Sequence, residues 1–93
     1  MFSFRRKKYH SYSDEQLVNA YKMEWDKFYI SLLYERYSHL VMGTSLNYLK
    51  NRTEAEDITM NVFESLFEKL KVHDVTNFKS WLYMVTRNEC LMF

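Results

Sequence analysis

The sequence contains few of the residues that make turns, disulfides or metal sites. It has one glycine, no proline and one cysteine among 93 residues. A β-sandwich or barrel needs turn residues at regular spacing, so their scarcity predicts an all-α fold. A single cysteine, Cys90, excludes an internal disulfide framework and a cysteine-rich zinc site, and it favours a reducing, cytoplasmic location.

Long apolar runs are also missing from the sequence. No stretch of about 18 apolar residues is present, so we expect no membrane span and no membrane partner. The basic N-terminus is not followed by an apolar block, which excludes a secretory signal.

Motifs for catalysis and for cofactor binding are absent as well. His10, His39 and His73 lie far apart in the sequence, without the spacing of metal ligands. A single glycine is too few for a glycine-rich phosphate loop, and Cys90 lacks a local nucleophile motif. We therefore expect a binding protein rather than an enzyme, with no cofactor and no metal site.

The charge is balanced overall but uneven along the chain, with a net charge of +1. A basic run, Arg5–Lys8, comes first and is interpreted as a solvated tail. Residues 54–68 carry acidic side chains and no basic one, and basic residues predominate after them. An acidic segment followed by a basic one predicts two different partners.

Periodicity and capping residues divide the chain into an arm and one bundle. Residues 1–12 lack an apolar period, so we expect a mobile basic arm there and a helical domain over residues 13–93. A capping box at Ser13–Gln16 begins the first predicted helix, which ends near Lys22. The next predicted helix, over residues 26–50, is apolar on more than one side, which indicates a central position.

Two further helices complete a predicted bundle of about four. A second capping box at Thr53–Glu56 begins a helix that ends near Lys71, and Asn77 caps the last helix after a loop. Gly43 in the long helix would allow a close helix contact. The predicted core residues recur at helical spacing and include Leu17, Val18, Tyr21, Ile30, Leu33, Tyr37, Leu40, Val41, Thr44, Tyr48, Ile58, Val62, Phe63, Leu66, Phe67, Leu70, Phe78, Trp81, Leu82 and Val85.

Two polar faces are left outside this predicted core. The acidic face of the third predicted helix spans an arc of about 60° and comprises Asp57, Asn61, Glu64 and Glu68. Met60 lies at the edge of the acidic face. The outer face of the last helix comprises Lys79, Ser80, Tyr83 and Arg87. Such faces are most often solvated surface, so neither identifies a partner by itself.

Three segments, in order, resemble region 2 of the sigma-70 family of transcription initiation factors. Tyr34–Tyr37 is similar to the Y-x-R-Y pattern of region 2.1. Asn51–Ile58 is similar to the R-x-x-A-E-D start of region 2.2, and Val62 and Phe63 continue that pattern. Phe78–Asn88 resembles the F-x-x-W-L-Y-x-I-A-x-N stretch of regions 2.3 and 2.4. The closest group is the extracytoplasmic-function (ECF) sigma factors, whose region 2 is similarly small.

The resemblance implies that the acidic side of the third helix binds the β′ clamp helices of core RNA polymerase. The residues to which it assigns this contact are Asp57, Met60, Asn61 and Glu64. Charges at the rim of an interface steer association, and Met60 would be the apolar anchor. The family usually has Gln-Glu at the positions of Met60 and Asn61, so this contact would be more apolar here.

The resemblance further implies that the loop before the last helix and the outer face of that helix take up promoter DNA. The ligand is the non-template strand of the −10 element, with one base flipped into a pocket. The residues assigned to this contact are Lys71, His73, Asn77, Lys79, Ser80, Tyr83 and Arg87. The three cations would contact phosphates, and the polar and aromatic side chains would contact bases or stack on them. His73 would line the loop.

The family also implies an anti-sigma factor as a partner, and strand capture rather than chemistry as the mechanism. No counterpart of regions 3.2 and 4 is present, and the pattern stops at Phe93, so we expect a fragment of a longer factor. The alternative that the sequence leaves open is a helical protein–protein interaction module, such as an adaptor or an anti-sigma-like protein, that does not bind DNA. A small helical enzyme would need a pocket of convergent titratable groups, and the sequence predicts none.

Overall fold

Five helices follow one another through residues 2–93, which are the part of the chain that the computed structural model describes, with side chains from Phe4 onward. In chain order they are α1 (Phe2–Tyr9), α2 (Asp14–Glu24), α3 (Phe28–Leu49), α4 (Arg52–Val72) and α5 (Phe78–Met92). The all-α prediction is confirmed, and the four predicted helices correspond to α2, α3, α4 and α5.

Helix α1 corrects the prediction of an irregular N-terminal arm, of which only Met1 lies outside the described residues. Apolar periodicity missed this helix because α1 is held by polar and aromatic contacts. Arg5 pairs with Asp26, and its guanidinium carbon lies 4.0 Å from the centre of the Phe28 ring. The Tyr9 hydroxyl lies 3.2 Å from the Tyr29 hydroxyl. Helix α1 is therefore docked, through Arg5 and Tyr9, against the start of α3.

Capping side chains set where α2 and α4 begin. The predicted box is confirmed at α2, where Ser13 Oγ accepts from Gln16 N at 3.1 Å and Gln16 Oε1 accepts from Ser13 N at 2.7 Å. At α4 the predicted box is wrong, since the helix begins before Thr53. Asn51 Oδ1 accepts from Glu54 N at 2.9 Å, and the amide oxygen of asparagine satisfies the free backbone donor as well as a threonine would.

Helix α3 is central, as predicted, because it packs against α2, α4 and α5. The buried apolar residues are Leu17, Val18, Tyr21, Phe28, Tyr29, Ile30, Leu32, Leu33, Val41, Ala55, Ile58, Val62, Phe63, Leu66, Leu70, Phe78, Leu82, Val85 and Cys90. Leu40 and Tyr48 were predicted in this core but are exposed. Gly43 is also exposed, and a Cβ there would meet nothing within 4 Å, so the predicted close contact is wrong.

Side-chain hydrogen bonds tie α2 to α3, α4 and α5. The Tyr21 hydroxyl donates to the Phe67 carbonyl at 2.6 Å, and Glu15 Oε2 accepts from Phe78 N at 2.9 Å. The Tyr37 hydroxyl donates to the Asp14 carboxylate; burial and this bond raise the pKa of Tyr37 to about 12. The bond from Glu15 holds the first residue of α5, directly after the loop over residues 73–77.

None of the helices within residues 2–93 is long and apolar enough to cross a membrane.

Candidate functional site

Helix α4 presents its predicted acidic face to solvent. Asp57, Asn61 and Glu64 are exposed, as is Glu68 further along the same face, and Met60 is 61% exposed. No ion pair within residues 2–93 involves Asp57 or Glu64, so both carboxylates keep their charge available to a partner.

A groove of about 520 Å³ runs between α3 and α4 beside this face. It brings together Asp57 and Met60, whereas Asn61 and Glu64 lie outside its lining. Its other lining residues are Tyr34, Ser38, His39, Met42, Arg52, Glu56 and Thr59. The site thus has an apolar stretch bordered by charges, which is the usual composition of a protein interface.

Tyr34 and Met42 are groove residues that sequence reasoning missed as part of a site. The Tyr34 ring packs edge-on against Phe63, with ring centres 5.0 Å apart, and still leaves 47% of the side chain exposed. Tyr34 belongs to the Y-x-R-Y segment, but the spacing within α3 alone does not show which side of that helix faces α4.

A second groove, of about 530 Å³, lies between the loop over residues 73–77 and α5. Four of the seven residues predicted to bind DNA line it, namely Asn77, Ser80, Tyr83 and Arg87. The other lining residues are Asp74, Val75, Thr76, Trp81 and Met84. The loop and helix that sequence reasoning paired do form one concave surface.

A side-chain cap sets where α5 begins beside this groove. Asn77 Oδ1 accepts from Ser80 N at 3.1 Å, which confirms the predicted cap and turns the chain sharply into the helix. Ser80 and Tyr83 are three residues apart in α5, so they lie on the same side of that helix, which is its outer side. Asp74 is exposed at the loop, and Lys22 Nζ lies 3.4 Å from its carboxylate.

The other three predicted DNA-binding residues lie outside the groove. Lys79 is exposed on α5 beside it. His73 lines a smaller groove of about 230 Å³, with its ring centre 6.1 Å from that of Trp81. Lys71 turns towards α2, where its ammonium lies 4.2 Å from the centre of the Trp25 ring and 3.2 Å from Glu68 Oε2.

Tyr48, on α3, was predicted in the core but is exposed, and it interacts with Tyr83 of the second groove without lining that groove itself. Its side-chain hydrogen bond raises the pKa of Tyr83, and the positive charge of Arg87 opposes that shift. An exposed aromatic pair thus lies beside a cation. No ion pair in the described chain uses Lys79 or Arg87, so both positive charges are available to an anionic ligand.

These observations define an all-helical domain whose exposed grooves include two of different character, one between α3 and α4 and one between the loop over residues 73–77 and α5. The family model for sigma-70 region 2 matches residues 33–93, which include α4, α5 and most of α3. The chain therefore belongs to the sigma-70 region 2 family. No curated protein and no solved structure matches the chain.

Region 2 is a non-enzymatic domain of transcription initiation factors, and membership implies core RNA polymerase and promoter DNA as partners. The match supports a sigma-factor role in promoter recognition and polymerase binding. Helices α1 and α2 lie before the matched residues.

Proposed function

We propose that this chain is region 2 of an ECF-type sigma factor, which docks on the β′ clamp helices and captures the non-template strand of the −10 element. The observation that carries the proposal is that one family match covers both exposed grooves. Each groove has the chemistry of one of the two partners that the family implies.

On the polymerase side, the argument rests on Met60. An exposed methionine next to an open groove can be buried by a partner without any rearrangement of the domain. Buried apolar anchors near the centre of an interface provide most of its affinity, and surrounding charges set orientation and association rate. Asp57 and Glu64 provide such charges on the same side of α4, and they suit a basic partner surface.

On the DNA side, the argument rests on Tyr83 and Arg87. Flipping a base out of a duplex costs a few kcal/mol, and stacking on an aromatic side chain returns roughly 1–3 kcal/mol per base. Tyr83 is exposed in the groove with Tyr48 beside it, and Arg87 and Lys79 lie close enough along α5 to meet phosphates. Phosphate contacts position the strand, and groove contacts select the flipped base.

Promoter opening in this proposal is a shift of population rather than a chemical step. The domain binds the unpaired strand and not the closed duplex, so it favours the open state by its difference in affinity for the two. An anti-sigma factor, which we propose as a further partner in the cytoplasm, would act by covering either groove.

The polymerase contact is tested by comparing two methionine variants. Met60→Asp, alone and with Glu64→Lys, is expected to abolish capture of core RNA polymerase in a pull-down. Met23→Asp makes the same change at a methionine that is 87% exposed on α2, and it should leave capture intact. Unchanged capture by the Met60→Asp, Glu64→Lys variant would refute the α4 surface. Capture without any binding of single-stranded DNA would favour a protein–protein interaction module instead.

A further inference from the structure

Trp25 occupies an unusual position at the end of α2. It caps the helix with φ 54° and ψ 30°, in the left-handed region, and its side chain is 63% exposed. Helices commonly end on a residue in this conformation, and glycine is preferred there because a Cβ is strained. Tryptophan, which has the largest side chain, therefore occupies a backbone conformation that favours glycine.

The stability of the fold does not explain this tryptophan. Most of its indole is in water, so it buries little apolar surface in return for the strained backbone. The cap itself is a backbone bond, from Trp25 N to the Tyr21 carbonyl at 2.7 Å, which any residue would make. An exposed aromatic side chain held in a strained backbone conformation is available for a contact with another molecule.

One lysine contacts the exposed ring, and a second follows two residues later in the sequence. The Lys71 ammonium lies 4.2 Å from the ring centre of Trp25, and the nearby Lys27 ammonium lies 4.7 Å from the ring centre of Phe67. We call Trp25, Lys27 and Lys71 the Trp25 platform. Glu68 pairs with Lys71 and moderates its charge, whereas Lys27 has no ion pair in residues 2–93.

The Trp25 platform adjoins the groove between the loop and α5. Lys22, three residues before Trp25, lies 3.4 Å from Asp74, and Asp74 lines that groove. A strand that occupies the groove and continues past this ion pair therefore meets Trp25. Flat aromatic rings flanked by cations are the recurrent way in which proteins hold unpaired strands without reading their sequence.

We propose that the Trp25 platform is a second site for single-stranded DNA, in which the indole stacks on one unpaired base and Lys27 and Lys71 meet its phosphates. The inference rests on the proposed function, because it extends the path of the strand that the groove captures. It assigns α2, which lies before the family match, a direct part in holding DNA.

The test measures binding of a fluorescein-labelled oligothymidylate of about 15 nucleotides, which spans one to several typical single-strand sites. Trp25→Gly should keep or raise the melting temperature and weaken binding about tenfold, the equivalent of one lost stack. Trp25→Tyr keeps a ring for stacking and should restore most of the affinity. Glu68→Gln frees Lys71 and should tighten binding. Titration with DNA should quench tryptophan emission more in the wild type than in Trp25→Tyr, in which only Trp81 of the groove remains to report binding.

Separate outcomes distinguish this inference from the proposed function. If Trp25→Gly binds as tightly as the wild type while Tyr83→Ala binds more weakly, the platform is refuted and the groove stands. If the wild type binds no single strand, both are refuted. If Trp25→Gly loses polymerase capture and keeps DNA binding, the surface is a protein contact and the inference is also refuted.

Discussion

Removing the two unpaired cations of α5 should change the salt dependence of single-strand binding. Each phosphate contact contributes about 0.7 to the slope of log affinity against log salt concentration. If Lys79 and Arg87 each hold one phosphate, the Lys79→Ala, Arg87→Ala variant loses about 1.4 from that slope. By the same relation, removing one phosphate contact lowers the affinity about fivefold more at 0.1 M salt than at 1 M. Removing both contacts lowers it about 25-fold more.

Fluorescence anisotropy with a labelled single strand, repeated at several salt concentrations, measures both quantities. The matched control is Lys7→Ala, Lys8→Ala, which removes the same charge from exposed positions on α1. If general attraction to the domain explained the effect, the two variants would behave alike. A slope unchanged in the α5 variant would refute the phosphate contacts, and an equal change in both variants would refute their localisation.

Three further predictions concern stability. Gly43→Ala should stabilise the domain by about 0.5–1 kcal/mol in urea unfolding, because the position is helical and open; destabilisation would reveal a contact that the structure lacks. Ser45→Ala should be neutral or stabilising by about 1 kcal/mol in the same assay, since the Ser45 hydroxyl is buried with no hydrogen-bond partner; a clear loss would indicate a bound water. Stability should fall between pH 10 and about pH 12, because unfolded tyrosine ionises at the lower pH while Tyr37 keeps its proton to the higher one. Tyr37→Phe should reduce that loss in thermal melts while the other tyrosines with raised pKa values keep the rest, and an identical pH profile would contradict the assignment.

Helical periodicity predicted α4 and α5 well because their faces are simple. Each helix has one buried stripe and one polar side. Once Val62 and Leu82 are assigned to the core, the helical period predicts that Glu64 and Tyr83 are exposed. The position of a residue in a helix sets the side of the helix on which its side chain lies. For this reason the two predicted faces are exposed as expected.

The sequence could not predict features that depend on which helices become neighbours. Helix α3 is apolar on several sides, and only packing decides that Tyr48 is left uncovered while Val41 is buried. Helix α1 has no apolar period to detect, since Arg5 and its partner Asp26 hold it in place. Lys71 was assigned to the DNA groove because it precedes the loop. It lies in the last turn of α4, and its ammonium contacts the Trp25 ring instead.

Helix α4 determines how the two proposed contacts act together. Met60 and Lys71 are 11 residues apart on the same helix, which places them about 16 Å apart along its axis. Because α4 and α5 pack against α3 and against each other, polymerase docking at the proposed Met60 contact would also hold the proposed strand site in place. Tethering raises the effective concentration of the strand at a site whose own affinity is modest. A weak single-strand contact in the free domain is therefore compatible with stable capture in the assembled polymerase, where the strand is already held nearby.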